Sequence, residues 1–248
     1  MSLNLSKIRS GTGTTVIVIN GFLSESDNDL TDWLSIVENT YKDATVLHLE
    51  WPASNIGKNI KRIANSKIAI FSLSAFIPGM ALLSSAKSAV DLTAMTSEWR
   101  KSIVNTEEAG EFLAKYIDSN SGNYVVMGHS LGARVSYHTL RNLKRVERLN
   151  NVFLLGGAVS NQGDWNQFAL NNYSLRIFNV YSKNDNVLKY LYRTGTAFRS
   201  TPIGRHKINS PFQKQIQNFD ASHLVSGHME YKKEELGTYI ASIISSEI

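Results

Sequence analysis

The chain has 248 residues, of which 42% are hydrophobic and 19% charged, a balance that excludes a disordered or fibrous protein and matches a soluble globular one. It contains no cysteine, so a disulfide framework and thiolate chemistry are excluded and a reducing compartment suits it. The formal net charge is +5 and the pI is near 9.3, yet the basic residues are scattered, which argues against a nucleic-acid partner.

No composition break or Pro/Ser-rich linker divides the chain, and residues 1–248 are read as one domain. The N-terminal stretch MSLNLSKIRSGTGTT holds no apolar run of the length a secretory signal needs, so a cytoplasmic start is expected. Short runs rich in Val, Ile and Leu then alternate with stretches of helical period, the pattern of a parallel sheet covered by helices on both faces. Strands are expected over residues 15–19, 44–50, 123–127, 151–155, 175–181 and 215–219, and helices over 29–41, 86–117, 131–146, 186–192 and 230–244. The densest basic cluster, Arg141, Lys144, Arg145 and Arg148, falls at the end of the third helix, where a solvated face complements the helix dipole.

One segment departs from the alternation. From Ile68 to Ala86 (IAIFSLSAFIPGMALLSSA) there is no charge, and Pro78-Gly79 sits in the middle. Its length is marginal for a bilayer crossing, which takes about 20 residues, and the Pro-Gly pair breaks a helix. Three readings stand: a buried lid or core hairpin, an insertion that contacts a membrane surface, and a span. The segment belongs to a helical insert placed at about residues 55–118.

The chemistry centres on Gly128-His129-Ser130-Leu131-Gly132, a G-x-S-x-G element between the apolar run Tyr124-Val125-Val126-Met127 and a helical stretch from Ala133. Strand, tight turn and helix are what a nucleophile elbow requires. Side chains at Gly128 or Gly132 would collide with neighbouring backbone, and Ser130 stands at a helix N-terminus where the amide of Leu131 can donate to an oxyanion. A serine hydroxyl needs a base held in one tautomer by an acid, in the chain order Ser, acid, His for this fold. Asp185 leaves the C-terminal end of the strand Leu175-Arg176-Ile177-Phe178-Asn179-Val180-Tyr181 and is the candidate acid; its alternative role is to cap the helix that follows, and Asp164 and Asp220 are rivals. Of six histidines, His48 belongs to a strand, His129 to the elbow, His138 to a helix and His206 to a polar loop. Of the remaining His223 and His228, His228 is preferred as the base because Gly227 permits a tight loop before it. The second oxyanion donor is the backbone amide of Phe22, in Asn20-Gly21-Phe22-Leu23 after the first expected strand, unless Gly21 serves only a sharp turn. No metal-ligand spacing appears, and Gly11-Thr12-Gly13 precedes the first expected strand instead of following one, so neither a metal nor a nucleotide cofactor is expected.

Five stretches together resemble the α/β-hydrolase-like proteins related to transmembrane and coiled-coil domain-containing protein four. They are Asn20-Gly21-Phe22-Leu23 with the run to Asp32-Trp33, Leu49-Glu50-Trp51, the elbow through Val135, Asn179-Val180-Tyr181-Ser182-Lys183-Asn184-Asp185, and Leu224-Val225-Ser226-Gly227-His228. The resemblance implies the α/β-hydrolase fold, a mostly parallel central sheet with helices on both faces, and puts Ser130, Asp185 and His228 in the same three roles. It names no substrate. The expected activity is hydrolysis of lipid or other apolar acyl esters by a serine esterase. Two alternatives stay open: a catalytically silent module that binds a membrane or a protein, and a serine amidase or peptidase.

Overall fold

In the computed structural model, which describes residues 3–22, 30–53, 86–192 and 200–245, seven strands form one sheet in the order β1-β3-β2-β4-β5-β6-β7. They are β1 (Asn4–Arg9), β2 (Thr15–Ile19), β3 (Thr45–Glu50), β4 (Tyr124–His129), β5 (Leu149–Leu155), β6 (Arg176–Tyr181) and β7 (Ile216–Asp220). Only β1 runs antiparallel to its neighbour; the other five pairings are parallel. The helices are α1 (Thr31–Thr40), α2 (Ala86–Ser119), α3 (Leu131–Asn142), α4 (Trp165–Asn171) and α5 (Glu234–Ser245). A parallel sheet with an antiparallel edge strand, and a G-x-S-x-G turn joining a central strand to a helix, is the α/β-hydrolase fold.

Side-chain alternation along the strands separates two cores. Ile17, Ile19, Val126, Leu154 and Ile177 face one way, toward Leu113 and Ile117 of α2, Val135 and Leu140 of α3, and Trp165 and Phe168 of α4. Val16, Val18, Val125, Met127, Phe153, Leu155, Phe178 and Val180 face the other, toward Trp33, Ile36 and Val37 of α1 and Leu236, Ile240 and Ile243 of α5. Because both faces are covered, these strands read as near-continuous apolar runs.

Helix α2 buries Trp99, Thr106, Leu113 and Ile117, a stripe at helical spacing. It packs on α3 so closely that a Cβ on Gly110 would lie 2.4 Å from the Cβ of His138. Of the expected insert at 55–118 the structure describes this helix; residues 54–85, with nearly all of the apolar run from Ile68 to Ala86, lie outside the described residues. No helix among the described residues is long and apolar enough to cross a membrane.

Three differences from the sequence reading have physical causes. Strand β1 offers only Leu5 and Ile8, one to each core, and so shows no continuous apolar face, because it is the sheet edge and none of its residues is fully buried. Gly11-Thr12-Gly13 therefore links β1 to β2 instead of preceding the first strand, and a strand-turn-strand setting still offers no helix N-terminus for a phosphate. Helix α3 stops at Asn142, four residues early, because the carboxylate of Asp118 accepts the amides of Lys144 (3.1 Å) and Arg145 (2.7 Å). Nor is the basic cluster simply a solvated face: Arg148 Nη1 donates to the carbonyls of Ile117, Asp118 and Asn120, so its charge caps the C-terminus of α2.

Candidate active site

The chain leaves β4 through Ser130, whose φ of 57° and ψ of −116° make it the only non-glycine residue with positive φ among the described residues. Such a conformation costs on the order of 1–3 kcal/mol and persists only where the surroundings enforce it. Here the surroundings are the end of β5 and the segment after it, since the Ser130 amide donates to Leu155 O at 3.0 Å and its carbonyl accepts from the Ala158 amide at 3.0 Å. The flanking glycines are required by contact. A Cβ on Gly128 would lie 2.4 Å from Gly132 O, and one on Gly132 would lie 2.2 Å from Ile19 O. Both obstacles are backbone, so neither yields cheaply. Gly132→Ala is expected to destabilise the fold by about 3 kcal/mol, a fall of roughly 6–12 °C in Tm followed by circular dichroism; a wild-type Tm would contradict the packing.

Asp185 and His228 are held by a laced pair of loops beyond β6 and β7. Ser182, fully buried, donates its hydroxyl to Val225 O at 2.7 Å, the Lys183 amide donates to Ser222 Oγ at 3.0 Å, and Asn184 Nδ2 donates to Ser222 O at 2.8 Å. Each residue of Ser182-Lys183-Asn184 thus ties the Asp185 turn to the segment leading to His228. All three expected side chains come together at the C-terminal edge of the sheet, where ligands bind in open α/β sheets.

Asp185 is 0% exposed and uses its two oxygens differently. Oδ1 accepts the amide of Leu188 at 2.9 Å and so caps the helical turn at 186–192, while Oδ2 is 2.6 Å from Nδ1 of His228. The capping reading and the orienting reading therefore describe the same carboxylate. With a carboxylate as acceptor, Nδ1 carries the proton and donates, which leaves Nε2 of His228 to accept from Ser130 Oγ at 2.8 Å. A hydroxyl bonded to such an imidazole can hand over its proton as the oxygen attacks. The rival acids are engaged elsewhere: Asp164 with Tyr137 and Arg141, Asp220 with Ser222 and Lys183.

His228, not His223, is the ring beside Ser130; His223 is exposed and meets the edge of Tyr239 at 5.6 Å between centroids. Gly227 is not what places it. Its φ of −160° is ordinary extended backbone, and a Cβ there would meet nothing within 4 Å. What holds His228 is partly His129, whose Nε2–H donates to the His228 carbonyl at 2.9 Å and whose ring lies 4.9 Å from that of His228. Burial, then the neighbouring His228 and Lys232, push the His129 pKa well below the usual histidine value, so this ring stays neutral. His129 fills one of the two unspecified positions of G-x-S-x-G, so the sequence carries no sign of this contact.

Gly21 lies directly over the serine: a Cβ there would be 2.6 Å from Ser130 Cβ and 3.2 Å from Ser130 Oγ. Phe22 is half-buried against the core, and Leu131, fully buried, is the first residue of α3. Leu23 and the residues up to 29 lie outside the described residues.

Comparison with known proteins places the chain among membrane-named relatives. It is 35% identical over 148 residues to an uncharacterized membrane protein of Caenorhabditis elegans, covering 56% of this chain and 24% of that protein. To Transmembrane and coiled-coil domain-containing protein STS1 of Oryza sativa subsp. japonica it is 27% identical over 236 residues, 87% of this chain and 34% of the relative. The chain thus spans about a quarter to a third of these relatives' lengths. Among solved structures, Alpha/beta hydrolase domain-containing protein 10 from mouse superposes with a TM-score of 0.48 at 12% identity, covering 98% of this chain and 94% of that one. The fold is defined by the strand order and the elbow at Ser130. Matched by the family's profile over residues 3–243, the chain belongs to the family described as Protein of unknown function (DUF726).

Proposed function

We propose that the chain is a serine hydrolase of carboxylic esters that works through an acyl-enzyme, with Ser130 as nucleophile, His228 as general base and Asp185 as the residue that fixes the ring. The carrying observation is the unbroken buried relay, 2.6 Å from carboxylate to Nδ1 and 2.8 Å from Nε2 to the hydroxyl. Ser130 Oγ attacks the ester carbonyl and its proton passes to Nε2; the amides of Leu131 and Phe22 receive the oxyanion; the alcohol leaves with the proton from Nε2. Water, deprotonated by the same nitrogen, then releases the acid and restores the hydroxyl.

The substrate class proposed is a lipid or other apolar acyl ester. Its support is the uncharged stretch from Ile68 to Ala86, which precedes α2 in sequence, and the membrane names of the relatives favour contact of that stretch with a membrane surface, the protein being otherwise cytoplasmic.

The test is a fluorophosphonate probe on the wild-type chain, with the modified peptide identified by mass spectrometry, followed by turnover of aryl esters of graded acyl length and of matched amides. Labelling at Ser130 with a rate that rises with acyl length is the expected result. No labelling favours a silent binding module, and amide turnover with a flat acyl profile favours an amidase.

A further inference from the structure

Lys232 is a buried cation that the proposed reaction leaves unused. Its side chain is 6% exposed, and a lysine is seldom buried unless paired. It ends the 3-10 turn His228–Lys232 that begins with the proposed base. Its Nζ lies 2.5 Å from Asp32 Oδ2, donates to Asn20 Oδ1 at 3.4 Å, and stands 5.8 Å from the centroid of the Trp33 ring.

Asn20 is where these contacts converge. It is 3% exposed; its Oδ1 also accepts Trp33 Nε1–H at 2.7 Å, its backbone carbonyl accepts Trp51 Nε1–H at 3.0 Å, and its Nδ2 donates to His48 Nε2 at 3.4 Å. Burial lowers the His48 pKa and so keeps that nitrogen available as an acceptor. The next residue, Gly21, is the one whose added Cβ would strike Ser130. Asn20 follows β2 and Lys232 follows β7, strands at distant positions of the sheet order, so no ladder hydrogen bond joins the two loops.

We propose that Lys232 and Asn20 are positioning residues: with Asp32, Trp33 and Trp51 they hold the Asn20-Gly21-Phe22 backbone against Ser130 and in register with the turn that carries His228. The inference rests on the ester-hydrolase reading. Its physical basis is that an oxyanion donor acts only where the oxygen develops charge, so a small shift of its loop costs turnover without costing substrate binding. A methionine at 232 fills the space but offers Asn20 Oδ1 no donor and Asp32 no counter-charge. The amide of Asn20 keeps its bonds to Trp33 and His48 but loses the one from Lys232, and with it the loop loses its link to the histidine turn.

Lys232→Met, Asp32→Asn and the core-packing control Val152→Ala are compared with wild type. The readouts are hydrolysis of p-nitrophenyl butyrate and the rate of fluorophosphonate labelling, each measured well below the variant's Tm. For Lys232→Met, kcat is expected to fall about 10- to 100-fold with KM within about twofold, and labelling to slow by the same factor, since displacement by an ångström is worth up to ~10²-fold. Asp32→Asn is expected to show the same split at about 3- to 10-fold, and Val152→Ala to lose stability while keeping wild-type kcat. A Lys232→Met kcat near the wild-type value, or an equal loss in Val152→Ala, overturns the inference. Should Lys232→Met fail to fold, Asp32→Asn, with a side chain 34% exposed, decides on the same criteria. Wild-type protein inert to both ester and probe overturns the hydrolase reading and the inference with it; active wild type with unaffected variants overturns the inference alone.

Discussion

At position 130 glycine is expected to give a more stable protein than alanine, by about 1–2 kcal/mol or roughly 2–8 °C in Tm, while both variants lose ester turnover by about 10⁶-fold. The usual order is the reverse, because glycine has more backbone entropy to lose on folding, a cost of about 0.5–1 kcal/mol. What inverts it is the φ of 57° with ψ of −116° at Ser130, strained for any residue with a Cβ and worth about 1–3 kcal/mol. Both variants lose the 2.8 Å bond to His228, so that term cancels between them. Alanine retains the strain and glycine releases it. Thermal denaturation of the pair together with p-nitrophenyl ester turnover checks both halves. An alanine variant melting at or above the glycine variant would contradict a strained elbow, and turnover within about 100-fold of wild type would contradict the hydroxyl as nucleophile.

The same strain explains why the elbow could be read from sequence. Gly128 and Gly132 are demanded by backbone contacts at 2.4 and 2.2 Å, and such a demand leaves a fixed spacing around one serine. The central strands were legible for a related reason: with both faces covered, β2 has no polar position from Val16 to Ile19. Edge strand β1 and helix α4 were not. β1 needs no apolar face, and α4, at 7 residues, is too short for a period to show.

The three side chains of the site could be named because chain order restricts them, whereas the groups that hold them depend on tertiary contact. Lys232 sits in the charged run Glu230-Tyr231-Lys232-Lys233-Glu234, which looks like solvated surface; only the packing of that turn onto α1 buries it beside Asp32. Asn20 looks like a turn residue, yet it is 3% exposed and bonded on three sides. Ser182 and Asn184 carry the clearest missed signal, since a strand end followed by Ser-x-Asn-Asp offers short polar side chains suited to bonding a neighbouring loop's backbone.

Asp185→Asn separates the two functions of one carboxylate. The asparagine oxygen and the amide nitrogen can be placed in two ways. With the oxygen toward Nδ1 of His228, the tautomer is preserved, but the NH₂ faces the Leu188 amide that Oδ1 now accepts at 2.9 Å, donor against donor at a site 0% exposed. Leaving that amide unsatisfied costs about 1–3 kcal/mol, so the reverse placement wins. The oxygen then keeps the cap and the NH₂ points at His228, where it requires Nδ1 to accept. The ring proton moves to Nε2, which donates to Ser130 Oγ instead of accepting from it. A nitrogen already carrying a proton cannot take the one the hydroxyl must lose. Turnover is expected to fall about 10⁴-fold, with Tm within a few degrees of wild type. Asp185→Ala, which removes the cap as well, is expected to lose in addition about 1–2 kcal/mol of stability. Steady-state kinetics and thermal melts of the two variants check this. A loss below tenfold in the asparagine variant would remove Asp185 from the orienting role, and equal Tm values for the two variants would remove it from the cap.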